Sequence, residues 1–252
     1  MISKIIHYIW LGKKKKPENW LDVFESWKKF AEDYEIKEWN EENISEFILP
    51  AYFYKAMKDK KYAFASDVLR CFILEKYGGI YFDIDQKLLK SLPDDFLDCD
   101  FFTAYFHNRF DYFGFQLTGV KPKHFLMREM IKIYRNYNLM NSYEIINSIF
   151  SKLLNRYLIV NSKDMVELDY GGKCVFISNQ KIKIFPQEYF YPEEICGHDF
   201  SQAYAIHLGN TSWIPVWKKI LHRIPGYNFW KKVFNCLLPQ IIKNRFINIR
   251  YK

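Results

Sequence analysis

Residues 62–90, YAFASDVLRCFILEKYGGIYFDIDQKLLK, constrain the fold more than any other stretch of the chain. Between Ala63 and Tyr77 the apolar residues Phe64, Val68, Phe72, Ile73 and Tyr77 recur at helical spacing, which predicts a helix with one buried stripe. Asp67 and Arg70 stand off that stripe, one turn apart, and share a second face. Gly78 supplies the left-handed stop that helices favour. Ile80-Tyr81-Phe82 then reads as a short buried strand, and a period of two carries Asp83 and Asp85 to one face with Ile84 on the other. A helix, a Gly-Gly break and a strand ending in acids make an α/β unit.

Two carboxylates about 7 Å apart on one strand face repel each other unless water or a cation lies between them. Hard oxygens suit Mg²⁺ or Mn²⁺, which take one or two protein carboxylates and leave positions for substrate phosphates. A solvated strand end fits the same two residues. Asp67 and Arg70 likewise read two ways. They form an exposed helical ion pair worth a few tenths of a kcal/mol, or an acceptor and a forked donor poised for hydroxyl groups beside the acidic strand.

Around this unit the chain alternates strands and helices. Residues 4–11 read as a buried first strand ending at Gly12, with Trp10 at its C-terminal end, where ligands bind in open α/β sheets; core packing is the plainer reading of that tryptophan. Pro17 opens a helix with Trp20, Phe24, Trp27 and Phe30 on one stripe. Tyr34–Trp39 is a second strand, and residues 43–59 are expected to be helical with a break near Pro50. Asp100–Phe106 is a further strand followed by His107 and Asn108. Gln116–Gly119 leads into a helix from Lys123 to Tyr137, and another helix runs from Tyr143 to Arg156. Lys173–Ile177 and Lys181–Phe185 pair as a hairpin across Ser178–Gln180. Ala203–Leu208 is a last strand carrying His207, by itself an ordinary core histidine.

No Gly/Ser/Pro-rich linker or repeat divides the 252 residues, which favours one main domain. Five cysteines without C-x-x-C spacing argue against a zinc site or a disulfide framework. The N-terminus lacks the pattern of a signal peptide, and no stretch approaches the roughly 20 apolar residues of a membrane span. A cytoplasmic protein is expected. Charge is uneven: Pro215–Lys252 holds nine Lys/Arg and no Asp or Glu, so the rest of the chain is close to neutral although the whole carries +8. This basic, aromatic tail reads as a helical cap or as interfacial helices on anionic lipid, with lysines at the headgroups. Nucleic acid is not expected as a partner, because no recognisable module accompanies the charge.

Ser66-Asp67-Val68-Leu69-Arg70, followed by Ile73-Leu74, Tyr77-Gly78-Gly79-Ile80-Tyr81, Asp83 and Asp85, resembles the signature of glycosyltransferase family 32. This is the group with a sugar-binding region containing Asp-x-Asp, which includes capsular polysaccharide transferases and yeast mannosyltransferases. It is also similar to the catalytic core of the large clostridial glucosylating toxins. The likeness continues in IIHYIWLG at 5–12, in the Trp39 to Asn43 spacing, in Phe190-Tyr191-Pro192 and in AIHLGNTSW at 205–213. Asn141-Ser142-Tyr143 departs from it, standing where such chains carry Thr-Gly-Pro.

The resemblance implies a GT-A-type, Rossmann-like α/β sandwich with a mostly parallel central sheet over residues 1–214, followed by the basic tail, expected to be helical, at 215–252. It implies retention of anomeric configuration and Mn²⁺ or Mg²⁺ as cofactor. The donor would be a UDP- or GDP-linked sugar, and the acceptor a saccharide or lipid-linked oligosaccharide. Trp10 would stack on the nucleotide base, Asp85 would ligate the metal directly, and Asp83 would act through water or on the sugar or ribose. Asp67 and Arg70 would hold donor hydroxyls. His207 and Trp213 would close over the diphosphate and metal, with Thr211 or Asn210 adding an oxygen. The leading reading is a transferase for capsular or other surface polysaccharide, working at the inner membrane face. The alternatives are a toxin-like transferase acting on protein and a membrane-surface module that has lost catalysis.

Overall fold

The computed structural model describes residues 1–106, 109–136, 143–161, 165–168, 172–192 and 200–209. The expectations placed on His107, Asn108, Asn210, Thr211, Trp213 and the 215–252 tail lie outside these residues. The described parts of 1–137 and 144–209 form one compact unit.

In chain order the first half contains β1 (Ile5–Ile9), α1 (Trp20–Phe30), β2 (Glu35–Trp39), α2 (Ala51–Lys58), α3 (Tyr62–Tyr77), β3 (Gly79–Phe82), β4 (Gln86–Leu88), α4 (Asp94–Leu97) and β5 (Phe101–Phe106). The second half adds β6 (Arg109–Val120), α5 (Phe125–Asn136), α6 (Ile146–Val160), β7 (Val166–Glu167), β8 (Lys173–Ile177), β9 (Gln180–Phe185), α7 (Gln187–Phe190) and β10 (Ala205–His207). Eight strands form one sheet in the order β2-β1-β3-β6-β5-β9-β8-β7, and β4 pairs with β10 in a separate ribbon. In the large sheet β6 and β8 run against their neighbours while the other strands point one way, so the expected mostly parallel α/β sheet is present.

Parallel pairing of β1 with β3 sets His7 opposite Tyr81. Trp10 and Asp83 therefore leave the sheet at the same end, the C-terminal end of two adjacent strands. The ribbon of β4 and β10 is anchored from α1: Trp27 Nε1 donates to the Gln86 carbonyl at 2.7 Å, and Leu88 N donates to Ser26 Oγ at 3.0 Å.

Four local expectations need correction. Helix α3 is not an amphipathic surface helix, since every residue from Ala65 to Leu74 is buried. The polar face that reads as solvent-facing turns inward because its charges pair there. Gly78 has φ 66° and ψ −150°, an extended conformation open to glycine rather than a left-handed helical stop. The Gly78 and Gly79 pair lets the chain reverse against Pro122 and Ile5, where a Cβ at either residue would approach within 2.6 Å of its nearest neighbour. Residues 43–50 are not helical, and only α2 forms after Pro50. Gln116–Gly119 is not a lead-in to the next helix but part of the twelve-residue strand β6. The hairpin of β8 and β9 is as expected, turning at Ser178 and Asn179 with φ 51° and 60°.

Two buried histidines tie stability to pH. His7 on β1 donates from Nε2 to the Gly78 carbonyl at 2.9 Å, and its Nδ1 accepts from Trp39 Nε1 at 3.1 Å, so the neutral ring is fully used. His124 is fully buried, between the rings of Phe101 and Phe125. Burial holds both pKa values down, from 6.5 to about 4. The unfolded chain then binds protons that the folded chain refuses, so this contribution is complete above pH 6.5 and is lost as the pH falls toward 4. Urea denaturation between pH 7 and pH 4.5 should show a falling midpoint. Each histidine is expected to cost about 3 kcal/mol by pH 4, and His124→Phe should flatten part of the profile.

Candidate active site

Alternation predicts two aspartates along one strand face; the structure places them around a turn. β3 ends at Phe82, and Gln86 N donates back to the Asp83 carbonyl at 2.9 Å, folding residues 83–86 into a tight turn. Asp83 N donates to the Gln116 carbonyl at 2.9 Å, which ties the turn to β6. Antiparallel pairing of β4 with β10 then sets His207 opposite Gln86. Leu208 N donates to the Asp85 carbonyl at 2.8 Å.

The result is a triangle. One ligating atom each from Asp83, Asp85 and His207 lie within 4.8 Å of one another, and His207 Nε2 stands 3.2 Å from Asp85 Oδ1. Two carboxylates and an imidazole suit Mn²⁺ or another hard-to-borderline divalent ion. This fit of donor type and spacing makes the cluster a candidate metal centre, the one such group among the described residues.

Behind the triangle lies a buried polar layer between α3 and β3. Arg70 Nη2 is 2.9 Å from Asp67 Oδ1 and 3.1 Å from Asp83 Oδ1, and Nη1 donates to the Phe115 carbonyl at 3.2 Å. The guanidinium lies over the Tyr81 ring at 4.1 Å, and Tyr81 OH donates to Asp83 Oδ1 at 3.0 Å. Asp67 Oδ2 accepts a long 3.4 Å bond from Ile146 N at the start of α6. Asp67 is 7 % exposed and Arg70 is 4 % exposed, so the reading as a solvent-facing ion pair does not describe them.

Electrostatics follow from this packing. Burial pushes the Asp67 carboxyl up to about 6, although Arg70 opposes the rise. Asp83 is raised as well, first by burial and then by the like charge of Asp85, with Arg70 pulling the other way. The Asp83 side chain keeps 24 % exposure, so the rise is tempered by solvent. Burial disfavours the Arg70 charge, but Asp83, Tyr81 and Asp67 outweigh it and raise the guanidinium further. One cation thus opposes the upward shift of two carboxylates.

Trp10 is half-buried at the same end of the sheet, with its Nε1 donating to the Lys14 carbonyl at 2.7 Å. That bond ties the indole edge into the lysine-rich turn. Gly12, at φ 94°, shapes the turn, and its N donates to Glu41 Oε1 at 2.7 Å. The structure therefore brings together Asp67, Arg70, Asp83, Asp85 and His207, and sets Trp10 at the end of the neighbouring strand. Trp213 and Thr211 lie outside the described residues. Sequence reasoning missed Ser66, Tyr81 and the Phe115 carbonyl. The first two were legible by position: Ser66 stands one turn before Arg70 on α3, and Tyr81 stands two residues before Asp83, to which its hydroxyl donates. The carbonyl belongs to β6, which local pattern does not reveal.

Residues 17–102 match the family described as "Glycosyltransferase sugar-binding region containing DXD motif". A glycosyltransferase of Acanthamoeba polyphaga mimivirus is 27 % identical over 228 residues, covering 85 % of each chain. Inositol phosphoceramide mannosyltransferase 3 of Schizosaccharomyces pombe is 39 % identical over 94 residues, which are 36 % of this chain. The match spans about a quarter (26 %) of that relative's length. Among solved structures, the PaToxG glycosyltransferase superposes with a TM-score of 0.51 at 22 % identity, over 64 % of this chain and 72 % of the other, a likeness of fold.

Proposed function

We propose that this chain, a glycosyltransferase with an Asp-x-Asp sugar-binding region, transfers a hexose from a UDP- or GDP-linked donor to a saccharide or lipid-linked acceptor with retention of configuration. The observation that carries the reading is the triangle of Asp83, Asp85 and His207 at the end of β3. Mn²⁺ or Mg²⁺ bound there would supply Lewis-acid neutralisation of the charge that develops on the leaving diphosphate. Asp85 and His207 are its direct ligands in this reading. Asp83 contributes its second oxygen to the metal, a metal-bound water or the donor sugar. Trp10 offers its indole face to the nucleotide base.

Asp67 and Arg70 hold donor hydroxyls in the same scheme. Arg70 Nε is buried and has no hydrogen-bond partner among the described residues, which leaves one N–H for a hydroxyl oxygen. Retention is assigned to attack of the acceptor on the face that the diphosphate leaves. Asp67 and Asp83 are each paired with Arg70, which weakens either one as a nucleophile for a double displacement.

Kinship with an inositol phosphoceramide mannosyltransferase supports a hexose donor and an acceptor carried on lipid. Surface or capsular polysaccharide synthesis is the proposed setting, with residues 215–252 resting on an anionic membrane face. Among the described residues no helix is long and apolar enough to cross a membrane. An assembled metal triangle argues against a catalytically silent binding module.

A panel of UDP- and GDP-sugars, each with and without Mn²⁺, tests the donor assignment by thermal shift. A donor that binds only the folded chain raises its melting temperature by mass action. The expected result is one nucleotide family stabilising the protein only when Mn²⁺ is present. Equal melting temperatures across the panel would remove the nucleotide-sugar reading.

A further inference from the structure

We propose that Tyr81 is a positioning residue for the metal centre: with Ser66 behind it and Arg70 across it, its hydroxyl fixes which oxygen of Asp83 faces the cation. This rests on the proposed metal-dependent transfer and adds to it a residue that touches neither metal nor sugar.

Tyr81 is 1 % exposed, and a buried phenol needs a partner. Its hydroxyl stands 3.0 Å from Asp83 Oδ1 and 3.4 Å from Ser66 Oγ. A carboxylate only accepts, so the phenolic proton goes to Asp83 and the Ser66 hydroxyl is free to donate to the phenol oxygen. Arg70 Nη2 reaches the same Oδ1 at 3.1 Å. One carboxylate oxygen therefore receives two donors, one of them charged, and Oδ2 is left for a ligand. The torsion that turns a carboxylate about its own axis has a broad, soft profile, so an unrestrained Asp83 would present either oxygen. Two bonds to Oδ1 remove that freedom before any ligand arrives, as partners of metal-ligating groups do elsewhere.

The geometry also separates this role from simple core filling. The Tyr81 ring supports the Arg70 guanidinium at 4.1 Å, and a phenylalanine ring would do the same. Only the hydroxyl reaches Asp83. Tyr81→Phe keeps the packing and removes the orienting bond.

Mn²⁺ alone is the probe, with the free ion followed by electron paramagnetic resonance during titration of the full chain. Tyr81→Phe is expected to weaken Mn²⁺ binding by about tenfold, within the range for outer-shell partners, with a metal-free melting temperature within a few degrees of wild type. Ser66→Ala, which leaves the ring untouched, should weaken binding by a few fold in the same direction and carries the test if Tyr81→Phe folds poorly. Wild-type Mn²⁺ affinity in both variants, while Asp83→Asn and Asp85→Asn lose the ion, would overturn the role of Tyr81 and leave the metal centre standing. Undiminished affinity in Asp85→Asn would instead remove the metal centre itself.

Discussion

Asp85→Ala is expected to abolish metal-dependent transfer and donor hydrolysis while leaving the fold intact. Metal-ion neutralisation of a leaving diphosphate is worth several kcal/mol, so losing it corresponds to a rate loss on the order of 10³-fold or more. Asp85 is the residue to remove because its Oδ1 stands 3.2 Å from His207 Nε2 within the triangle and the residue is buried. The chain around it is held by its backbone. Leu208 N bonds the Asp85 carbonyl and Gln86 N bonds the Asp83 carbonyl, and an alanine keeps both bonds. Removing a carboxylate that repels Asp83 also relieves like-charge strain. Thermal unfolding in chelator should therefore differ from wild type by no more than about 1 kcal/mol. Turnover at the wild-type level in chelator-treated buffer would contradict the assignment.

Arg70→Met has the largest expected effect on stability. It strands Asp67 and Asp83, both of which are paired with this guanidinium, and breaking a buried pair by removing one partner costs about 3–5 kcal/mol. Against a total of about 5–15 kcal/mol for a domain, that approaches half the stability. The loss should depend on pH in a defined direction. With Arg70 present the Asp67 carboxyl already stands at about 6, raised by burial. Without the cation it rises further, so the stranded acid can neutralise itself by taking a proton. The folded variant then binds more protons than its unfolded chain, and the deficit relative to wild type should shrink as the pH falls from 8 to 5. Adding Asp67→Asn to Arg70→Met should recover part of the loss at pH 8. Urea midpoints for wild type, both single variants and the double variant check all three statements. A pH-independent deficit would mean that lost packing, not stranded charge, dominates.

The elements that sequence conveys well are those whose signal is local. Ser178-Asn179 turns a hairpin because both residues accept positive φ. The Gly78-Gly79 break between α3 and β3 stands where the sequence has it, since no other residue type suits that backbone. Local pattern fails where a distant element decides the environment. Asp67 and Arg70 look solvated from their spacing on α3, but β3 and β6 close over them and supply Asp83 and the Phe115 carbonyl as partners. The acidic pair reads as strand because Asp-Ile-Asp alternates. Its turn exists because Asp83 N is taken up by β6 and Gln86 N folds back, and neither contact is written in the motif. His207 reaches Asp85 only through the pairing of β10 with β4, elements more than a hundred residues apart.

The central claim is that these three side chains hold a divalent cation. Anomalous scattering from a crystal of the full chain grown with Mn²⁺ and a nucleoside diphosphate tests it most directly. The expected result is a manganese peak about 2 Å from a carboxylate oxygen of Asp85 and from His207 Nε2, with the diphosphate completing the coordination. A manganese peak elsewhere on the chain, with the diphosphate bound away from β3, would contradict it.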